Sequence, residues 1–186
     1  MRKTKRGVLV LAAGIVLAAC GKTQAAPSRT PGWEAPPDPV AAAGRAGLPS
    51  DDREMLAVHK HAHLDVIVDA KAVVVPANLG IQRDPRRIAP LHTHDTTGIV
   101  HIESATDRPF TLGQVFILWD KPLSVTRVGP VRVGAGEVLR IYRDGTEVSG
   151  DPAALELTQH AEIVVWVGPR NETPKVPASY AFPSGT

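Results

Sequence analysis

Histidines at alternate positions are the feature that most constrains how this chain can fold. Six of the seven histidines lie close together in two segments of the chain, His59, His61 and His63 in the first and His92, His94 and His101 in the second. In an extended strand, residues at i, i+2 and i+4 share one face, whereas a helix would scatter them. The first segment therefore predicts a strand with three histidines on one face and Asp65 next in line.

Apolar and β-branched runs predict the remaining strands. They fall at residues 64–69, 73–75, 91–94, 99–103, 131–133, 137–143 and 161–167. Asp144-Gly145 is a two-residue hairpin signal after the sixth run. The last run is nearly all apolar, which predicts a strand in the centre of a sheet.

One segment has helical spacing instead. Leu112, Val115, Phe116 and Trp119 recur at i, i+3, i+4 and i+7, so we expect a helix over 112–119 that buries these side chains. Thr111 and the glutamine three residues later form a capping box at its start. The predicted fold class is mainly β with one short helix (α+β), in a small sandwich or barrel-like domain.

A hairpin around residues 95–98 would gather the second histidine group. Its four-residue loop pairs His92 with His101 and His94 with Ile99. Directly opposed residues in a hairpin have Cβ atoms about 4.5–5.5 Å apart. The two-residue period then places Glu103 on the same face as the three histidines.

Imidazole and carboxylate groups in this arrangement point to a bound metal ion. The predicted ligands are His59, His61, His63, His92, His94, His101 and Glu103. With no cysteine in the domain, a thiolate site is excluded, and the donors suit Zn²⁺, Cu²⁺, Ni²⁺ or Fe²⁺. We expect copper or zinc, with iron as an alternative. Six histidines exceed one tetrahedral site, so either there are two sites or some histidines orient others.

Three further polar residues have open roles. Asp95 either forms the turn through its side chain or orients a ligand histidine. His160 stands alone and is interpreted as structural or as a surface residue. His101 and Glu103 could also act as an acid–base pair.

The N-terminus predicts export and lipid anchoring. Four cations in the first six residues precede an uncharged apolar run, which is typical of a signal peptide over residues 1–19. Leu17-Ala18-Ala19-Cys20 is similar to a bacterial lipobox, which implies lipidation of Cys20. Gly21 in the next position implies the outer membrane, facing the periplasm, in a Gram-negative host. We expect a Pro/Ala-rich flexible tether over 20–52 and one His-rich β domain over 53–186.

Charge argues against a nucleic-acid partner. The formal net charge of +2 includes the four signal-peptide cations, so the exported part is close to neutral. No basic patch interleaved with aromatic residues is visible in the sequence. The expected partners are the membrane, through the lipid on Cys20, and a membrane-bound metal-handling protein.

Several stretches resemble a poorly characterised family of exported bacterial and archaeal domains that are often lipoproteins. The matching stretches are 61–66, 75–81, 90–104, 110–114 and 177–183, and the most specific is His92 to Glu103. Members of that family often have glycine where Ala70 stands here. The resemblance implies a shared fold and shared histidines, and it implies no particular activity.

Three functions are compatible with the sequence. The first is a membrane-tethered, extracytoplasmic metal-binding lipoprotein for copper or zinc sequestration or delivery. The second is a mononuclear metal-dependent enzyme of unknown substrate, with open coordination positions on its ion. The third is a partner-binding lipoprotein whose histidines line a polar groove without metal.

Overall fold

The structure is a computed structural model that describes residues 30–186; the predicted signal peptide and Cys20 lie outside the described residues. The helices are α1 (Pro39–Arg45), α2 (Leu112–Leu118) and a 3₁₀ turn at Pro152–Ala154. The strands are β1 (Val58–Val68), β2 (Lys71–Val73), β3 (Ile81–Gln82), β4 (Arg87–Ile88), β5 (Leu91–His92), β6 (Ile99–Ser104), β7 (Leu123–Ser124), β8 (Arg127–Val128), β9 (Val131–Arg132), β10 (Glu137–Arg143), β11 (Thr146–Val148) and β12 (Glu162–Pro169).

One seven-stranded sheet forms most of the fold, in the order β11-β10-β12-β1-β6-β5, with β2 also paired to β1. The long strand β1 is its centre. It pairs antiparallel with β6 over 58–63 and parallel with β12 over 63–68. The small sheets β3-β4 and β7-β8-β9 lie outside it. The two halves of β1 therefore have different neighbours.

The two faces of this sheet differ in chemistry because side chains alternate along each strand. The face that packs on the helices is apolar, with Ala62, Leu64, Val66, Val100, Ile102, Ile163, Val165 and Val167 in the main core. The opposite face carries the histidines, followed along the sheet by a smaller apolar cluster of Tyr142, Val164 and Trp166. The C-terminal tail packs on this second face through Val176 and Tyr180.

Strand predictions are confirmed in type and shifted at their ends. Strand β10 has the predicted bounds, and the Asp144-Gly145 turn joins it to β11 with positive φ at both residues. Strand β12 lies between β10 and β1, as expected for an apolar central strand. Strand β5 ends at His92, earlier than predicted, because Thr93 exchanges backbone hydrogen bonds with the loop at 78–79 instead of β6. The predicted pairing of His94 with Ile99 is therefore wrong.

The predicted helix is α2, and its capping box is present. The Thr111 hydroxyl accepts from Gln114 N, and the Gln114 side chain accepts from Thr111 N. Leu112, Phe116 and the C-cap residue Trp119 are almost completely buried, as predicted.

The predicted tether is wrong over residues 33–48. Trp33 and Leu48 belong to the main core, and between them α1 buries Ala42 and Ala43. The helix begins with Asp38 as N-cap and proline at its first position, a recognised start signal. Small side chains allow α1 to lie close to α2, so a composition typical of a linker serves here as packing surface.

The fold class is confirmed as mainly β, in an α+β, sandwich-like arrangement. The sheet is open between its edge strands β11 and β5, so of the two predicted alternatives the barrel is not formed. Two α-helices are present within residues 30–186 where one was predicted. None of the helices in that part of the chain is long and apolar enough to cross a membrane.

Candidate metal centre

Three adjacent strands place histidines in one row across the sheet. His61 of β1 lies opposite His101 of β6, and His101 lies opposite His92 of β5. The predicted pairing of His92 with His101 is thus confirmed. One step along the same face, His59 lies opposite Glu103. His94 follows β5, with its ring 4.4 Å from that of His101 between centroids.

A first group of potential ligands consists of His59, His61, His101 and Glu103. His61 Nε2 lies 3.1 Å from His101 Nδ1, and Glu103 Oε1 lies 3.4 Å from both His59 Nε2 and His101 Nδ1. Bonds of about 2.0–2.2 Å to one ion imply ligand separations of about 2.9–3.5 Å in tetrahedral or square geometry. The three separations fall within that range before any side chain moves.

A second group consists of His92, His94, His101 and Glu103. His92 Nδ1 donates to Ala89 O at 2.9 Å, which leaves Nε2 with its lone pair free. That atom lies 3.8 Å from Glu103 Oε2. Both atoms are buried, and neither has a hydrogen-bond partner among residues 30–186. Because buried polar atoms are rarely left unsatisfied, this pair could take an added partner, and a metal ion is one that imidazole and carboxylate can share.

The cluster favours neutral imidazoles, which are the form that binds metal. Burial, together with the neighbouring histidines, lowers the pKa of His61 to about 4. Burial also lowers the pKa of His92 to about 4 and shifts that of His94 downward. Burial alone would raise the pKa of Glu103, but the surrounding histidines outweigh it and lower the pKa, so the carboxylate is charged at neutral pH.

Burial differs sharply between members of the two groups. The side chain of His92 is 0% exposed and that of Glu103 is 5% exposed, whereas that of His59 is 42% exposed. His94 is also exposed and borders a cleft of about 240 Å³. Each group therefore combines buried ligands with one histidine that is exposed to solvent. The exposed histidine gives an ion a route into and out of the group.

His63, although predicted as a ligand, is placed outside both groups. Its Nδ1 lies 2.8 Å from Glu162 Oε2 and its Nε2 lies 2.8 Å from Thr97 O. Burial alone would lower the pKa of His63, but the hydrogen bonds and charge of Glu162 outweigh it and raise the pKa. Burial raises the pKa of Glu162, yet we assign the shared proton to the more basic imidazole. His63 is then an imidazolium with no lone pair for a metal.

Close contacts with Gly98 and Tyr180 fix the position of the His63 ring. Gly98 has φ +89°, and a Cβ there would lie 2.9 Å from His63 Nε2, so a side chain would displace the ring. Tyr180 of the C-terminal tail stacks on the face of the ring, with centroids 3.8 Å apart and planes 8° apart. Asp65 completes a third set of potential ligands with His63 and Glu162, and we interpret that set as an ion pair.

The remaining predictions are resolved by contacts. Asp95 accepts from Thr97 N at 2.9 Å and from the Thr97 hydroxyl, so it forms the turn. His160 is exposed and stacks on Phe182 of the tail, which agrees with a surface role. Sequence reasoning missed Glu162, a carboxylate that is 1% exposed at the start of an apolar strand. That contrast with the apolar residues after it is the signal that could have revealed it.

Comparison of the chain with family models, with curated proteins and with solved structures finds no match. The resemblance to a family of exported domains therefore stays a prediction, and function has to be argued from the geometry.

Proposed function

We propose that this protein is a lipid-anchored, extracytoplasmic metal-binding protein that sequesters or delivers copper or zinc through its histidine cluster. The observation that carries the proposal is the pair of buried, unsatisfied atoms His92 Nε2 and Glu103 Oε2, 3.8 Å apart. This separation is a few tenths of an ångström beyond the range of about 2.9–3.5 Å for two ligands of one ion, so a small side-chain shift would let an ion contact both atoms.

The donor set supports copper or zinc. Neutral imidazole with one carboxylate suits these ions, and both rank high in affinity among the divalent first-row metals. The exposed ligands His59 and His94 support exchange with a partner over permanent structural binding, since structural sites are closed. The buried ligands supply affinity, and the exposed ones supply access.

The predicted anchor suits delivery between membrane-bound partners. With the domain beginning near Trp33, the linker from Cys20 spans at most about 45 Å, because extended chain covers about 3.5 Å per residue. The domain would thus work close to the bilayer. A Cys20→Ala variant should leave the membrane fraction and lose incorporation of radiolabelled palmitate; retention in washed membranes would contradict the anchor.

Elemental analysis tests the metal site. The full chain, purified without a His-tag in detergent, is exposed to micromolar Cu²⁺ or Zn²⁺, desalted and analysed. We expect retained metal in wild type and in His160→Asn, an exposed histidine outside both groups. Glu103→Ala removes a residue common to both groups and should abolish retention. Equal metal in Glu103→Ala and wild type, or none in wild type, would leave partner binding without metal as the better function.

A second candidate is a metal-dependent enzyme, and the cleft beside His94 favours it. Its volume of about 240 Å³ lies below the range typical of drug-sized ligands, so it would take a small substrate. Arg83, Arg86 and Glu54 line it. Because Arg86 is paired with Glu54 at 3.4 Å, Arg83 is the arginine that would favour an anion. Metal-dependent turnover that falls in both His94→Ala and Arg83→Ala would support this candidate, whereas metal retention without turnover of any small anion tested would support storage or delivery.

A further inference from the structure

Glu103 separates two sets of histidine nitrogens. Its Oε1 lies 3.4 Å from His59 Nε2 and 3.4 Å from His101 Nδ1, which also faces His61. Its Oε2 lies 3.8 Å from His92 Nε2. The two oxygens of one carboxylate therefore belong to different sets of donors.

One ion cannot contact every donor, because five histidines and two carboxylate oxygens exceed the four ligands of a tetrahedral site. An ion held by His59, His61, His101 and Glu103 Oε1 fills such a site. His92 Nε2 and Glu103 Oε2 would still be buried without partners among the described residues. A second cation beside them would give both atoms a partner.

We infer that the cluster holds two metal ions bridged by the Glu103 carboxylate. The first ion is bound by His59, His61, His101 Nδ1 and Oε1. The second is bound by His92, His94 and Oε2. This inference rests on the proposed metal-binding function and adds its stoichiometry and its bridging residue.

The two positions differ in character. The first has four protein ligands and is complete. With His101 assigned to the first ion, the second has three, one of which, His94, borders the cleft. The second ion is therefore the exchangeable one, and the first is held more tightly. We expect a separation of about 3.5–4 Å, as in other two-metal sites.

Each position has one exposed ligand of its own, which provides matched variants. His59 serves only the first position and His94 only the second, and both are exposed, so His59→Ala and His94→Ala should fold. His160→Asn is the control, because His160 lies outside both groups and asparagine tolerates its φ of +59°. Urea unfolding in EDTA checks that all three variants have wild-type stability.

The experiment is Cu²⁺ titration of the full chain in detergent, followed by electron paramagnetic resonance. Wild type and His160→Asn should bind two Cu²⁺ per chain and show a dipole-coupled spectrum with a half-field transition. His94→Ala leaves the second position two protein ligands and should bind one Cu²⁺ with an uncoupled spectrum. His59→Ala leaves the first position three and should bind the first ion more weakly than wild type does. Glu103→Gln, of similar shape but without charge, should lose the coupling.

Other outcomes separate the two proposals. A single ion in wild type that both variants lose would overturn the dinuclear centre and leave the metal-binding function in place. Two ions without coupling would overturn the bridge. No Cu²⁺ and no Zn²⁺ bound to wild type would overturn the metal-binding function itself.

Discussion

On the polar face of β1, His61 and His63 project in the same direction but meet different neighbours. His61 faces His101 of β6, and its pKa is lowered to about 4. His63 faces Glu162 of β12, and its pKa is raised. Because β1 changes partners near His63, one alternating motif yields a neutral ligand at one position and a cation at the next.

The comparison shows that histidine spacing predicts a shared face and leaves protonation undecided. Protonation depends on the atoms facing each ring nitrogen. Where these are other imidazoles, the rings can stay neutral, and each neutral ring has one nitrogen with a lone pair that can bind metal. Where they are a carboxylate and a carbonyl oxygen, both nitrogens become donors. The region around His61, with His101 and Glu103, can then bind an ion (the His61 side). The region around His63, with Glu162, contributes to the stability of the fold (the His63 side).

The largest expected effect is on the His63 side. His63→Gln leaves Glu162 buried without its cation and should lower the free energy of unfolding by about 3–5 kcal/mol. His61→Gln is the matched control and should cost less, since no buried charge loses its partner. Urea unfolding in EDTA measures both, and metal content should be unchanged in His63→Gln. Equal losses in the two variants would remove the distinction between the two histidines.

Metal addition should act only through the His61 side. An ion at a concentration one hundred times its dissociation constant raises the free energy of unfolding by about 2.7 kcal/mol. We expect this gain in wild type and in His63→Gln, and its absence in Glu103→Ala. Thermal unfolding with and without Zn²⁺ is the measurement. A gain in Glu103→Ala would place the ion elsewhere.

The contribution of His61 and His92 to stability and that of His63 should change with pH in opposite directions. His61 and His92 have pKa values of about 4, below the ordinary value of 6.5, so the unfolded chain binds more protons between these limits. Stability in EDTA should therefore fall by about 1–2 kcal/mol as pH drops from 6.5 to 5.5. The contribution of His63, with its raised pKa, is complete below pH 6.5 and is lost as pH rises through that pKa.

Variants separate these two slopes. His92→Gln should reduce the acid-side loss of stability by about half, because His61 still contributes, and His63→Gln should remove the alkaline-side loss. Urea midpoints from pH 5 to 9 test both. An acid-side slope that is unchanged in His92→Gln would show that His92 is not one of the titrating groups.

The smallest expected effect belongs to the tail. Tyr180 stacks on His63, and an aromatic pair contributes about 0.5–1.5 kcal/mol beyond burial. Tyr180→Ala should lower the free energy of unfolding by about 1 kcal/mol and leave metal content unchanged. Loss of metal in this variant would connect the tail to the metal-binding cluster.

The sequence by itself determined the elements whose signals are local. Alternation predicted the strand through His61, periodicity and a capping box predicted α2, and Asp144-Gly145 predicted its turn. These features depend on neighbours a few residues away, which is where backbone geometry and capping operate. The pairing of His92 with His101 also followed, because a short hairpin fixes register.

Contacts between distant segments were decided only by the tertiary structure. The packing of α1 depends on α2, which lies far along the chain, so composition alone suggested a tether. The partner of His63, Glu162, is ninety-nine residues away in sequence. Parallel pairing of β1 with β12 brings them together, and strand order cannot be read from either strand alone. Which histidine keeps a free lone pair is settled by that pairing, because proton positions follow the nearest donors and acceptors.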